Sequence, residues 1–181
     1  PKPSRSKLTV DAILTATAYT LIEEGYEATN TNRIAELAGI SIGSLYQYFP
    51  NKEALITSLV SSHANEMAEM VESKLRYLSD TPISTVFGEL IKACIEAHAL
   101  NPRLHKVLNE QMSRLGTIQQ KESAERKIAD LLRGYLEKWR SHLKIRDLDL
   151  TVFFLGHIVE SLTHAAVIEH PELFSHQQFE Q

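Results

Sequence analysis

A single cysteine, Cys94, is the whole thiol inventory of this sequence. That excludes an internal disulfide framework and fits a reducing compartment, so a cytoplasmic location is expected. Glycine (7) and proline (6) are few among 181 residues, which argues against an all-β chain built on many tight turns. No uninterrupted apolar run reaches the roughly 18 residues of a membrane-spanning helix, so no membrane partner is expected. Pro1 to Lys7 is polar and basic with no apolar stretch behind it, which predicts no signal peptide. Positive charge is not in excess either. The net charge is -4, so any nucleic-acid binding must come from a local site. What is present, 43% hydrophobic and 23% charged residues, is the balance of a globular chain and not of a disordered one.

Helical periodicity runs through almost the entire chain and predicts an all-α fold. Val10, Ile13, Leu14, Leu21 and Ile22 recur at three- and four-residue steps after a Thr9 cap, and Gly25 closes that helix in the position a left-handed cap prefers. A short helix is predicted over Thr31 to Ala38, stopped by Gly39. A second, about Ile42 to Tyr48, is capped by Ser41. Pro50 and Asn51 then break the chain. Beyond Lys52 the predicted helices are long. One runs to about Leu78, and Thr81-Pro82, Asn101-Pro102 and Asp147 mark later starts. Another is predicted over Thr117 to Leu143. Phe174 to Gln181 reads as the opening of a further helix. The boundary is placed at Asn51: residues 1–51 form a compact three-helix domain, and 52–181 a larger helical one.

Arg33 to Phe49 has the logic of a helix-turn-helix. Two short helices cross closely, with Ala35 small at the crossing and Gly39 free enough for the sharp turn. Ile34, Ala38, Ile40, Leu45 and Tyr48 face inward. Ile42, Gly43, Ser44, Tyr46 and Gln47 are left toward solvent, where a tyrosine beside a glutamine suits phosphates and base edges. Spacing alone also allows a plain helical hairpin whose glycine and alanine serve packing only.

The stretch from Gly25 to Leu55, GYEATNTNRIAELAGISIGSLYQYFPNKEAL, resembles the N-terminal domain of tetracycline-repressor-like (TetR/AcrR) transcription factors. The likeness rests on the Gly-Tyr after the first helix, the Ile-Ala pair, the Ala-Gly-Ile-Ser turn, the Leu-Tyr-x-Tyr-Phe helix and the Asn-Lys-Glu-x-Leu start of the fourth helix. It implies that Ile42, Gly43, Ser44, Tyr46, Gln47 and Tyr48 sit on the helix that meets bases and phosphates. It implies that Thr31 and Asn32 touch the DNA backbone, that Lys52 meets a phosphate, and that Arg5 and Lys7 lie in an arm before the first helix. Tyr48 has a core role as its alternative, and Arg5 and Lys7 a solvated tail. One departure matters. Pro1 to Leu55 holds five Lys or Arg against six Asp or Glu, and Ser41 and Gly43 stand where many relatives carry a basic residue. Affinity would then lean on backbone N–H groups, hydroxyls, the arm and Lys52.

The predicted helix from Asp147 to Glu169 is apolar on two sides. Val152, Leu155, Val159, Leu162 and Ala166 form one stripe, and Phe154, His157, Ile158, Ser161 and Ala165 the other. One face is expected to pack the chain's own core and the other a second copy, with the first stripe and Gly156 assigned to the dimer. Dimerisation through the last two helices is also what the resemblance implies. Phe87, Ile91, Cys94 and His98 share one predicted helix face, and Tyr135 and Trp139 another. With Met112, Phe154 and His157 these are candidates for a small-molecule cavity, ordinary core being the alternative; that a cavity exists is implied only by the resemblance. His98 and His105 straddle the Asn101-Pro102 break, and a Glu160–His164 pair on one helix face is the simpler reading, so no metal site and no cofactor are expected.

No phosphate loop, nucleophile elbow or zincin motif is present, and no enzymatic activity is expected. The expected function is a dimeric, ligand-responsive transcriptional regulator, most often a repressor in the family, that binds a palindromic operator in double-stranded DNA and is released by a small-molecule effector. A regulator without an effector and a helical interaction module that does not bind DNA are the alternatives.

Overall fold

A computed structural model of the chain describes residues 4–79, 81–115 and 118–170, the side chains of 112–122 lying outside the described set. Among the described residues eight α-helices follow one another and there is no strand: α1 (Arg5–Ala28), α2 (Thr31–Leu37), α3 (Ile42–Tyr48), α4 (Lys52–Tyr77), α5 (Ile83–Leu100), α6 (Pro102–Leu115), α7 (Ile118–Lys138) and α8 (Leu148–His164). A 3-10 turn at Arg140–His142 follows α7, and a π-helical turn at Ala165–Glu169 extends α8. The helix expected at Phe174 to Gln181 falls outside the described residues.

Local chemistry sets most of these ends. The Ser4 hydroxyl accepts from the Lys7 N–H at 3.2 Å, so α1 begins at Arg5 and not after Thr9. At Gly25 the backbone turns left-handed (φ 78°) and leaves helical geometry. Gly39 (φ 68°) ends α2, its N–H reaching the Glu36 carbonyl and that of Ile40 the Ala35 carbonyl. That pair of bonds is the Schellman closure, which needs a residue without Cβ strain at this place. Side-chain oxygens of Asn30, Ser41, Asn51, Asn101 and Asp147 accept from backbone N–H groups three residues on. The α5 start differs from expectation: Pro82 is the cap residue and no side chain bonds there.

The chain divides into two compact units, residues 1–63 with 106–120 and residues 64–105 with 121–181. The first half of α4 belongs with α1, α2 and α3 because Leu55 joins their core with Ile13, Ala16, Ile34, Ala35, Leu45 and Phe49. Thr17 and Thr20 are buried on α1, where their hydroxyls bond carbonyls one turn back and so enter the core satisfied. The second unit has its own core: Val71, Leu75, Val86, Leu90, Leu132, Tyr135, Leu136 and Val152. Tyr135 carries its hydroxyl into that core by donating to the Thr81 carbonyl at 3.0 Å.

Candidate nucleic-acid interface

In α3 the inward and outward residues separate cleanly. Leu45 is fully buried and anchors the helix from below. Ile42, Gly43, Tyr46, Gln47 and Tyr48 are exposed and Ser44 is half-buried. Tyr48 is 37% exposed, so it is not purely core. Ser41 holds the start of the helix with one hydroxyl, which accepts from the Ser44 N–H and lies 2.8 Å from the Ser44 hydroxyl.

Tyr46 is oriented by its neighbour helix. Its phenolic oxygen lies 3.0 Å from the Thr31 hydroxyl at the start of α2. Two residues from different helices are thereby brought to one point, with exposed Asn32 next in sequence. Hydroxyls, an amide and a helix start offer hydrogen bonds to phosphates and base edges without demanding a net positive field.

Lys52 opens α4 and is held from α1. Its ammonium donates to the Tyr26 carbonyl at 2.9 Å and lies 4.1 Å from the Tyr26 ring centroid. An ammonium has three donors, and the Tyr26 carbonyl uses one of them. The Tyr26 hydroxyl in turn reaches Glu53 at 3.4 Å. Tyr26 and the α2 cap Asn30 are positioning residues that sequence reasoning passed over. The Asn30-x-x-Arg33 spacing carried the signal for the cap; the lysine's seat on Tyr26 had no local signal, since it joins residues of two helices.

Arg33 is turned away from this role. It pairs with Glu24 at 3.3 Å and Glu36 at 2.9 Å, and these carboxylates raise its pKa, Glu36 foremost. Arg5 and Lys7 correct an expectation. Both are exposed, but they occupy the first turn of α1 and not an arm ahead of it, because Ser4 caps the helix there.

Of the residues expected around a small molecule, three share one cluster, Phe87, Tyr135 and Trp139. Phe87 and Trp139 pack on the second unit's core beside Tyr135, and burial raises the pKa of that tyrosine. Cys94 is half-buried and its carbonyl bonds His98 at 2.7 Å, while burial pushes its thiol pKa up. Ile91, Phe154 and His157 are exposed, and Phe153 sits edge-on to both Phe154 and His157. The Met112 side chain lies outside the described residues.

The structure divides α8 differently from the two expected stripes. Val152 is buried in the second unit's core and Leu155 packs against it. Leu150, Phe153, Phe154, Ile158 and Leu162 are exposed, each by half or more of its surface. Gly156, Val159 and Ala166 are half-buried. Apolar residues recur at helical spacing on both faces, and α8 packs against α5. Leu148–Glu169 is also long and apolar enough to cross a membrane by length and composition, with a mean hydropathy of 1.4. Its burial of Val152, Thr163 and Val167 inside the chain's own fold is that of a packed helix with one open side.

Comparison with known proteins bears on both units. The family model described as "Bacterial regulatory proteins, tetR family" matches residues 13–59, and "Tetracyclin repressor-like, C-terminal domain" matches 82–181. The HTH-type transcriptional regulator YvkB of Bacillus subtilis (strain 168) is 37% identical over 60 residues, covering 33% of this chain and 32% of that protein. The chain thus spans about a third of the length of the first curated relatives it matches. YhgD, an HTH-type regulator of the same organism, is 24% identical over 166 residues, covering 89% of this chain and 85% of YhgD. Among solved structures, the fatty acid degradation regulator FadR from Bacillus halodurans superposes with a TM-score of 0.74 at 19% identity, covering 92% of this chain and 86% of that one. At that identity the likeness is one of fold.

Proposed function

Since the chain belongs to the tetR family of bacterial regulatory proteins and is a DNA-binding transcriptional regulator, not an enzyme, we propose that it is a repressor. It binds a quasi-palindromic operator as a symmetric dimer and leaves it when a small molecule binds the second unit. The observation that carries the reading is the Tyr46–Thr31 contact on an otherwise open α3 face. A tyrosine half exposed on a seven-residue helix, yet held in place from α2, is costly as surface and useful as a contact to the duplex. Tyr46 and Gln47 read base edges; Thr31, Asn32, Ser44 and Lys52 meet the backbone, with Arg5 and Lys7 adding charge beside them.

Dimerisation would cover the open side of α8. Leu150, Phe153, Phe154, Ile158 and Leu162 recur at helical spacing, and a contiguous apolar face of this kind on a folded chain marks an interaction surface. A dimer on this seam would present two α3 helices to successive major grooves, about 34–36 Å apart. The effector would bind among the aromatic residues Phe87, Tyr135 and Trp139 of the second unit. Because α4 contributes residues to both units, its tilt is the natural link between effector and operator. A 100-fold weakening of DNA binding would correspond to about 2.7 kcal/mol of coupling, and operator would weaken effector binding by the same factor.

The test is fluorescence anisotropy with the DNA upstream of the protein's own coding sequence, at two salt concentrations. Tyr46→Ala and Gln47→Ala should abolish specific binding with the fold intact. Lys52→Ala should weaken all sequences alike and lower the salt slope by about one. Normal operator affinity in Gln47→Ala would rule out the base-reading role.

A further inference from the structure

Three histidines from three helices meet in the second unit. His98 lies in the last turn of α5, His105 in the first turn of α6 and His164 at the end of α8. The Asn101-Pro102 break, which interrupts the sequence periodicity between the first two, turns the chain so that their rings stack, with centroids 4.1 Å apart and planes 18° from parallel. The His164 ring stands edge-on to both, at 4.9 Å from His98 and 6.4 Å from His105. His98 and His105 are buried and His164 is half-buried. One nitrogen from each ring can be chosen so that all three lie within 4.8 Å of one another.

The tautomer of His98 is set by its neighbour. A carbonyl can only accept, so the 2.7 Å contact to the Cys94 carbonyl places the proton on Nδ1 and leaves the Nε2 lone pair free to bind. A backbone carbonyl holding the far nitrogen is the usual orienting device behind a metal-bound imidazole. Burial pushes the His98 pKa below its ordinary value, and His164 acts in the same sense. Glu160, one turn before His164, acts on His98 in the opposite sense and puts a negative charge close to the cluster.

We propose that His98, His105 and His164 form a binding site for a divalent transition-metal ion of the zinc class. Three imidazoles suit zinc, and also copper, nickel or cobalt; they are poor hosts for magnesium or calcium, which require oxygen ligands. Zinc held by three protein ligands keeps a fourth position open for water or an exogenous donor. A tetrahedral ion with bonds of about 2.0–2.1 Å holds its nitrogens about 3.4 Å apart. The three rings must therefore close and unstack by about an ångström, within the reach of side-chain torsions. The bound ion would tie the α5–α6 turn to the end of α8. This site stands independently of the DNA-binding reading.

The experiment is calorimetric titration of the chelator-treated full chain with Zn2+, repeated with His98→Gln, His105→Gln and His164→Gln and with His142→Ala as control. Wild type and control should bind one ion per chain. Each glutamine variant should lose more than about 100-fold in affinity, beyond the 10- to 100-fold cost of removing an outer-shell partner. The half-buried His164 is the position least needed for folding, and circular dichroism identifies any variant that has lost its helices. Cobalt provides a readout on the wild-type chain alone: a tetrahedral, nitrogen-rich site gives intense visible bands that Zn2+ displaces stoichiometrically. Absence of these bands, wild-type binding no tighter than that of the variants, or full affinity in a folded His164→Gln would each overturn the proposal.

Discussion

The two units are built differently. In the first, the side chains of Asn30, Ser41 and Asn51 cap the starts of α2, α3 and α4, and left-handed Gly39 closes α2. In the second, Asn101 and Asp147 cap α6 and α8 in the same way, but the α5 start lacks a side-chain cap, and the core is built from apolar stripes of several helices. The first arrangement fixes where a few exposed side chains point, which a surface that reads DNA requires. The second leaves α8 with one face in the core and an open one of leucine, isoleucine and phenylalanine, which suits a partner and a responsive site.

The sharpest way to break this contrast is at Leu45, which has no exposed surface. Leu45→Ala should cost about 2–5 kcal/mol in urea unfolding, because α3 has no other buried residue to hold it. A loss below 1 kcal/mol would mean that α3 is not held from beneath.

Next in size are the two faces of α8. Val152→Ala should destabilise the chain by about 2 kcal/mol through lost methyl groups. Phe154→Ala should leave unfolding of the isolated chain almost unchanged and weaken self-association, as read by sedimentation across a concentration series. The reverse pattern would restore the allotment expected from sequence.

Two glycines provide a subtler comparison. An added Cβ would meet nothing within 4 Å at either Gly39 or Gly156, so backbone conformation alone decides. Gly39→Ala should cost about 1–2 kcal/mol, since its φ of 68° is left-handed. Gly156→Ala, inside a helix, should stabilise by up to about 1 kcal/mol. Thermal unfolding of both variants would measure the difference in sign.

The smallest effect is expected at the exposed pair between Lys127 and Glu72, 3.2 Å apart. The lysine, first through its hydrogen bond and then through its charge, lowers the Glu72 pKa. Lys127→Ala should return that pKa upward in an NMR titration and leave the melting temperature within error, because exposed pairs are screened. Any stability the pair adds is present above the ordinary glutamate pKa and is lost as pH falls through the depressed value. A change in melting temperature at neutral pH as large as that of Gly39→Ala would show that the surface of this unit matters more than its stripes.

Legibility followed the range of the interactions. The bounds of α3, the left-handed glycines and the Asp147 cap were readable because each depends on residues within one turn. The α1 start was misplaced by one turn because Ser4 and Thr9 both look like caps, and the helix takes the earlier one. The seat of Lys52 on Tyr26 was not readable, because α1 and α4 must first be packed to bring the two together.

By itself the sequence determined the helical class, the helix-turn-helix and its outward row from Ile42 to Gln47, since caps, turns and 3.6-residue periodicity act locally. Tertiary structure decided which stripe of α8 is buried and that His98, His105 and His164 share one point. Both depend on how separate helices pack, and a helix with two apolar faces, or a histidine on either side of a proline break, carries no local mark of the neighbour it will meet.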